Sequence, residues 1–527
     1  MKKEIEEKKI KIVQEMAKNK ITSEEEFGEV KQKTIAKIKT NFPPNNELLM
    51  IYRNLRKQNN VRANFYFEKL LKKRPIRSLS GVAVVAVLTK PWPCPGKCIY
   101  CPTEKNIPQS YLSGEPAVER AKILNYDPYL QTKKRIEMLE KNGHPTDKIE
   151  LIVIGGTWSY LPKHYQTWFI KRCFDGANKK ISKTLFEAQK KNEKAKNRLI
   201  GITLETRPDY ITLKEILRMR KLGCTRVEIG VQIVDDEILK INQRGHLIDK
   251  TIEATKLLKN AGFKICYHIM PGLYGSNPKK DLEKFKKLFS DSDFQPDMLK
   301  IYPCVVTKGS KLSELYKQKK YKPYTDNQLI NLLIKMKSVV PPYVRINRVI
   351  RDIPSWQIQG GSKISNMRQY IQIEMKKQKL ECQCIRCREI KASQLELKDL
   401  KLKHQHYTAS HGQAIFLSFE SQKQNKLAAF LRLRLPTLEI KKQPRVLKNS
   451  AIIREIHTYG QLVSINQKNR KATQHIGLGK KLIKEAEKIS RKAGYKKIAI
   501  IAGIGVRPYY RKLGYRLQNT YMTKILS

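Results

Sequence analysis

The chain has 527 residues, too many for one compact core, and 40% of them are hydrophobic, enough for globular folding. Its 106 Lys+Arg against 48 Asp+Glu give a net charge of +58, a field that favours a polyanion, most simply a nucleic acid. A lysine-rich background composition is the plainer alternative, because lysine is spread along the whole chain. No apolar run is long enough to cross a bilayer and no signal peptide opens the chain, so the expectation is a cytoplasmic protein with no membrane partner. Ten cysteines in that setting point to metal rather than disulfides, and six of them form two triplets, Cys94/Cys98/Cys101 and Cys382/Cys384/Cys387.

Residues 1–20 read as an amphipathic helix. A second follows the capping residues Thr22 and Ser23, with Glu25 and Glu26 placed for a capping box, and Pro43-Pro44 breaks the pattern. Residues 1–30 carry seven Lys and eight Glu, whereas 31–77 carry thirteen Lys/Arg against Glu47 and Glu68. Tyr52, Phe65, Tyr66 and Phe67 lie among those charges. Basic residues mixed with aromatics suit RNA, whose phosphates are neutralised and whose bases stack. The same aromatics equally suit the inner face of a helix.

From 82 to 303 strands and helices alternate. Strands are expected at Val82–Leu88, Glu150–Ile154, Leu199–Leu204, Arg226–Val231, Phe263–Ile269 and Met298–Tyr302, all rich in Val, Ile and Leu as strands buried on both faces are. Six βα units predict a partial TIM-like (βα)6 barrel, with chemistry at the C-terminal ends of its strands. Those ends carry the first cysteine triplet, Gly155-Gly156-Thr157, Glu205-Thr206-Arg207-Pro208-Asp209, Gln232, Met270-Pro271-Gly272 and Pro303-Cys304. The C-x3-C-x2-C spacing lets three thiolates hold three irons of a 4Fe–4S cluster. The fourth iron is then free to chelate the amino and carboxylate groups of S-adenosylmethionine (SAM). A zinc knuckle shares part of this spacing but needs none of the other strand-end motifs. Gly155 and Gly156 would meet the methionyl amino group, and Glu205 and Arg207 the ribose and carboxylate.

A further helix, Leu329 to Met336, and a possible strand, Val344–Ile350, precede the second triplet. C-x-C-x2-C at Cys382, Cys384 and Cys387 suits structural zinc, with His404, His406, His411 and Cys304 as candidate fourth ligands. Beyond 404 strands are suggested at Ala414–Glu420, Leu427–Leu435, Ala451–Ile456, Gln461–Ile465 and Lys497–Ala502. Gln474-His475-Ile476-Gly477-Leu478-Gly479 opens a helix running to Ile489. This Q-x-x-G-x-G loop is the pyrophosphate loop of GNAT acetyltransferases, whose bare backbone N–H groups bind coenzyme A. The run Arg507 to Tyr515 is where such domains place a tyrosine beside the CoA sulfur, here Tyr509 or Tyr510.

A radical-SAM barrel followed by a GNAT domain is a rare pairing, and from about Arg77 onward the chain resembles the catalytic subunit of Elongator, the tRNA carboxymethyluridine synthase family. The shared runs include Ser80-Gly-Val-Ala-Val-Val-Ala-Val, Ile202-Thr-Leu-Glu-Thr-Arg-Pro-Asp-Tyr, Gly223-Cys-Thr-Arg-Val-Glu-Ile-Gly-Val-Gln, Asn242-Gln-Arg-Gly-His, Leu299-Lys-Ile-Tyr-Pro, Arg351-Asp-Ile-Pro and Arg454-Glu-Ile-His. The resemblance implies that a cluster on Cys94, Cys98 and Cys101 reduces SAM to a 5′-deoxyadenosyl radical, fed by an electron donor. That radical takes hydrogen from the methyl of acetyl-CoA. The resulting carbon radical adds to C5 of the wobble uridine, and hydrolysis leaves 5-carboxymethyluridine. It further implies acetyl-CoA contacts at Lys148, at Glu455, Ile456, His457 and Thr458, at Leu478, Gly479 and Lys480 beside Gln474 and Gly477, and at Tyr510, with Cys98, Lys148 and Tyr510 as the catalytic set. Many relatives space the first two cysteines further apart and follow the third with Pro-Gly-Gly, where this chain has Pro102-Thr103-Glu104. The second triplet resembles the zinc linker of bacterial and archaeal members, and with the basic N-terminus suggests an enzyme independent of accessory Elongator subunits.

The expected organisation is a basic helical tRNA-binding segment (1–77), a radical-SAM barrel (78–345), a cysteine-rich linker (346–403) and a GNAT α/β domain (404–527). Two other functions fit parts of the sequence. One is a protein lysine acetyltransferase with Glu455 as its base and the barrel as scaffold. The other is a non-catalytic RNA-binding assembly protein. Neither needs a redox cluster.

Overall fold

The structure, a computed structural model, describes residues 2–72, 81–390, 399–437, 442–459 and 477–526. The expected strand Gln461–Ile465, together with Gln474, His475 and Ile476, lies outside them.

Four helices, Lys2–Lys18, Glu24–Ile38, Asn45–Lys57 and Phe65–Leu71, open the chain. Ser23 caps the second by accepting from the Glu26 amide at 3.0 Å, and Glu26 reaches back to the Thr22 amide at 2.6 Å. Their apolar stripes close on a small core of their own, around Ile12, Val13, Met16, Leu48, Leu49 and Phe67. Two of the aromatics read as base-stacking residues belong to that core. Tyr52 and Phe67 are buried edge to face, 5.1 Å apart, and the Tyr52 hydroxyl accepts from the Asn64 amide. Tyr66 remains partly exposed beneath Lys69. Apolar burial therefore claims Tyr52 and Phe67, while Tyr66 and Phe42 stay at least partly exposed among the charges. Arg53 ties this bundle to the barrel through the Gly143 carbonyl.

The strands of the next region are β1 Ala83–Leu88, β2 Lys148–Ile154, β3 Arg198–Thr206, β4 Arg226–Gln232, β5 Lys264–Ile269, β6 Met298–Ile301, β7 Val306–Thr307, β8 Arg345–Arg348 and β9 Ile358–Gly360. One sheet has the order β1-β2-β3-β4-β5-β6-β8, parallel at every step, and β7 pairs with β9 in a separate two-stranded ribbon. Parallel strands in sequence order with crossover helices curl into an open half-barrel. The six expected strands are all present, and the sheet runs on to a seventh. That strand, β8, falls inside the possible strand expected at Val344–Ile350 but keeps only four residues, Arg-Ile-Asn-Arg, of which only Ile346 is buried.

The second sheet contains β10 Leu400–Thr408, β11 Gly412–Ser421, β12 Lys426–Pro436, β13 Ser450–Thr458, β14 Lys497–Ile500, β15 Arg516–Gln518 and β16 Tyr521–Ile525, in the order β10-β11-β12-β13-β14-β16-β15. Only β13 and β14 pair in parallel. Helix Leu478–Lys492 covers it with Leu478, Leu482, Ile483 and Ala486 buried.

This sheet rests against the N-terminal ends of the barrel strands. Buried Asp297, just before β6, accepts from Arg454 of β13 at 2.8 Å and from the Ile265 amide at 2.9 Å. Arg432 of β12 lies 3.7 Å and Lys259 3.9 Å from the same carboxylate. Burial pushes the Asp297 carboxyl up, but Arg454, Lys259 and Arg432 outweigh it and hold it well below the usual range. Lys259 is lowered as well, because burial disfavours its ammonium more than Asp297 supports it, and it donates to the Gln295 carbonyl. Alongside, Arg434 holds Asn260 at 2.6 Å, and Arg511 holds Glu193 at 2.5 Å.

Removing one partner from a buried ion cluster leaves uncompensated charge and costs about 3–5 kcal/mol. Asp297→Asn is therefore expected to lower unfolding free energy by that order in urea titrations. A depressed folded pKa means that the Asp297 contribution is complete above the unfolded value near pH ~3.9 and lost as pH falls below it. The gap between wild type and variant should close below about pH 4. A gap that held constant to pH 2 would contradict this assignment.

Candidate active site

A single cavity of about 1230 Å³ runs through the half-barrel, from the cysteine loop at the C-terminal strand ends to β13 and Tyr510 at the N-terminal ends. Side chains alternate along a strand, and the inward set here mixes apolar residues such as Val84, Ala86, Ile152 and Met298 with many polar ones. It includes Glu150 of β2, Arg226, Glu228 and Gln232 of β4, Lys264 and His268 of β5, Lys300 of β6 and Asn347 of β8.

At the upper end the loop after β1 presents Cys94, Cys98 and Cys101, all partly exposed. Gly96 donates its amide to Cys94 Sγ at 3.4 Å, and Arg244 Nη1 approaches Cys98 Sγ at 3.5 Å. Burial, then the neighbouring Cys98, push the Cys101 thiol up to about 11. The residues that replace the Pro-Gly-Gly of many relatives are tied down: Thr103 donates its amide to the Gly309 carbonyl, and Glu104 accepts from the Ser113 amide at 2.9 Å.

The other strand ends converge on the same space. Gly155 has φ +126°, and a Cβ there would stand 2.2 Å from Thr89 Oγ1, so its role is close packing against β1. Gly156, also at positive φ, lines the cavity, and a Cβ there would meet only the Gln109 carbonyl oxygen, at 3.9 Å. Glu205 accepts from Tyr111 at 3.0 Å, and its other oxygen lies 3.2 Å from His268 Nδ1. Arg207 is paired with Asp209, at 3.0 Å through Nε and 2.9 Å through Nη2, but its buried Nη1 has no partner. Gln232 closes β4 at φ +70°, strained for a residue with a side chain, and its buried Oε1 is also unpartnered. An open backbone at Gly156, a carboxylate at Glu205 and a spare guanidinium N–H at Arg207 fit the amino, ribose and carboxylate groups of SAM. The three thiols beside them fit three irons of a cluster.

In the middle of the passage Glu228 is fully buried. His268 Nε2 lies 2.8 Å from it, Lys300 makes a short contact, and Arg226 stands 3.6 Å away. Burial would raise this carboxyl, but Lys300, His268 and Arg226 hold it well below the usual range, and Glu228 in turn raises Lys300. Glu228, Cys266 and His268 place ligand atoms within 4.8 Å of one another, but the Lys300 ammonium already takes the place of a cation there.

At the lower end Glu455, Ile456 and His457 of β13 line the cavity with Tyr510. Glu455 lies between Arg432 at 2.8 Å and Lys264 at 3.8 Å. Burial opposes its charge, but Lys264 and Arg432 keep its carboxyl below the ordinary value. Gly477 takes φ +79° at the start of helix Leu478–Lys492, and none of the described residues lies within 4 Å of where its Cβ would be. Next to it, Gly479 sits near Thr458 Oγ1 and the Tyr509 hydroxyl. Of the tyrosine pair, Tyr510 is buried on the cavity wall and Tyr509 is the exposed one. Lys480 follows, exposed, on the first turn of the same helix, and Lys148 stands half-buried at the start of β2 beside Arg198. Both lie outside the cavity lining. The charges inside the passage, Glu228 and Lys300 above all, escaped the sequence analysis although both fall in the shared runs. Period-2 alternation of charge within a Val/Ile-rich strand was the available signal.

Apart from this cavity, Cys382, Cys384 and Cys387 bring three thiols within 4.8 Å of one another, with Lys337 Nζ 3.7 Å from Cys387 Sγ. None of the expected fourth ligands joins them among the described residues. His404 faces Glu485, His411 faces Asp293, and Cys304 packs under the first cysteine loop.

The Radical SAM superfamily model matches residues 94–289 and the Radical_SAM C-terminal domain model matches 296–377. The tRNA uridine(34) acetyltransferase of Methanocaldococcus infernus is 48% identical over 471 residues, covering 87% of this chain and 88% of that protein. Elongator complex protein 3 of Homo sapiens is 40% identical over 86% of each. The solved structure of archaeal Methanocaldococcus infernus Elp3 with an N-terminal deletion (1–46) superposes with a TM-score of 0.75 at 45% identity, covering 85% of this chain and 100% of that one. With the cysteine loop, the strand-end ligands and these relatives in agreement, the chain belongs to the radical-SAM family of tRNA uridine(34) acetyltransferases and Elongator complex protein 3.

Proposed function

We propose that this chain modifies the wobble uridine of tRNA, joining SAM-derived radical chemistry to acetyl-CoA to make 5-carboxymethyluridine. One observation carries the reading: the cavity that holds the cysteine loop at one end is lined at the other by Glu455, Ile456, His457 and Tyr510. Strand rise alone makes the passage about 20 Å long from Lys264 to Met270, a distance that a thioester arm entering from the second sheet can follow.

When bound, the cluster supplies the electron, passed on from an external donor, that cleaves SAM. The protein's own part is positional. Arg207 offers its free Nη1 to a carboxylate, Gly156 its backbone to an amino group, and Glu205 its carboxylate to hydroxyls. The helix N-terminus at Gly477–Lys480 offers N–H groups to a pyrophosphate. Lysine acetylation is disfavoured because Glu455, held ionised between Lys264 and Arg432, is a poor general base.

Cys98→Ala is expected to abolish carboxymethyluridine formation, read by mass analysis of tRNA nucleosides after anaerobic incubation with SAM, reductant and acetyl-CoA. Product formed by that variant would sink the mechanism. Deleting residues 1–77 should weaken tRNA binding about tenfold or more and flatten its salt dependence, with acetyl-CoA affinity little changed. Equal loss of both would instead assign that segment to folding.

We further propose that Cys382, Cys384 and Cys387 hold zinc and clasp the two sheets. Helix Ile385–Arg388 follows directly, with the Ile385 amide on the Val344 carbonyl, the Ile390 amide on the Leu427 carbonyl and Arg388 on Glu420. Metal analysis of Cys384→Ser should show zinc lost and iron retained. Zinc retained in that variant would overturn the assignment.

A further inference from the structure

We infer that Arg244 tunes the cluster: its guanidinium, hydrogen-bonded to the sulfur of Cys98, favours uptake of the electron that starts the reaction. The inference rests on the reading of Cys94, Cys98 and Cys101 as cluster ligands. It concerns a residue that lies 146 positions from the cysteine it touches.

Arg244 follows helix Asp236–Ile241 in a turn closed by its own amide on the Leu239 carbonyl. The side chain is 6% exposed. Nη1 meets Cys98 Sγ at 3.5 Å, Nη2 donates to the Gly230 carbonyl at 2.6 Å, and Nε has no partner. Among the described residues no carboxylate forms an ion pair with it. The nearest candidate, Asp209, is taken by Arg207. Arg207 in turn reaches the same loop, where a Cβ on Gly96 would stand 2.4 Å from its Nη1. Two guanidinium groups thus face the Cys94–Cys98 loop, and only one has a carboxylate of its own.

A buried cation without a carboxylate is unfavourable unless another anion completes the site. A thiolate-bound cluster is such an anion, and its charge grows when it takes an electron. Net charge and hydrogen bonds to the ligand sulfurs set the potentials of such centres. Arg244 supplies both at Cys98. A strut that only held the Gly230 carbonyl would need the hydrogen bond and not the charge.

The test uses full-length wild type, Arg244→Gln and Arg244→Lys, reconstituted anaerobically with iron and sulfide. Iron content and the electron paramagnetic resonance signal of the reduced protein come first. If the wild type takes up no cluster that depends on Cys94, Cys98 and Cys101, the underlying reading fails, separately from this inference. Potentiometric titration then decides. Arg244→Gln should hold its electron about tenfold less tightly, a midpoint about 59 mV more negative for a one-electron couple, with Arg244→Lys closer to wild type. Identical midpoints in wild type and Arg244→Gln would overturn the inference. If Arg244→Gln loads no iron, alkylation by iodoacetamide of the iron-free proteins replaces the titration, because a neighbouring cation favours the reactive thiolate. Cys98 should then react severalfold more slowly relative to Cys94 in Arg244→Gln than in Arg244→Lys, and equal ratios would overturn it.

Discussion

Asp297 is the point on which the two sheets meet. A single buried carboxylate faces Arg454, Arg432 and Lys259, and accepts a backbone amide of β5 as well. Attraction at this depth outweighs desolvation only because the charges are numerous, close and hydrogen-bonded. The contact chain does not stop there. Arg432 passes on to Glu455 and Glu455 to Lys264, which already lines the passage. The same ion network that docks the second sheet therefore sets where β13 stands beneath the barrel.

That docking explains the unusual interior. A closed eight-stranded barrel fills its centre with layers of branched apolar side chains. Here the curled sheet has seven strands, and Glu150, Arg226, Glu228, Lys264, His268 and Lys300 turn inward. Each is matched: Arg226 with Glu150 at 2.7 Å, Glu228 with His268 and Lys300, Lys264 with Glu455. Ion pairs hold the walls apart, where apolar side chains would close them together. Stability here comes from the outer face of the sheet, where Val85, Leu151, Ile202, Val227, Ile265 and Leu299 pack against the helices.

Much of this was legible in the sequence, and the exceptions have a common cause. Strands β1 to β6 are rich in Val, Ile and Leu, and glycine, proline or cysteine marks most of their ends, so both elements and site could be read locally. Several departures depend on partners distant in the chain. Strand β8 is shorter than the expected Val344–Ile350, because only Arg345–Arg348 finds a partner, in β6. Tyr52 and Phe67 look like surface aromatics among basic residues, because the helices that bury them lie elsewhere in sequence. Strands β10, β15 and β16 went unread for a local reason: β10 and β15 lie at the edges of the sheet with most of their side chains exposed, and β15 and β16 are short. Arg244, Glu228 and Lys300 lay inside recognisable runs, but residue type alone does not reveal that a charge faces a lumen.

The shared carboxylates carry a consequence for the ancestry of the chain. Glu455 belongs to one half and neutralises Lys264 of the other, while Asp297 does the reverse for Arg454 and Arg432. Each half therefore owes a charge to its companion. Neither can be exchanged for an unrelated counterpart of the same shape without stranding ions at the junction. The two sheets are inherited as one object, and drift at one side of the junction must be answered on the other.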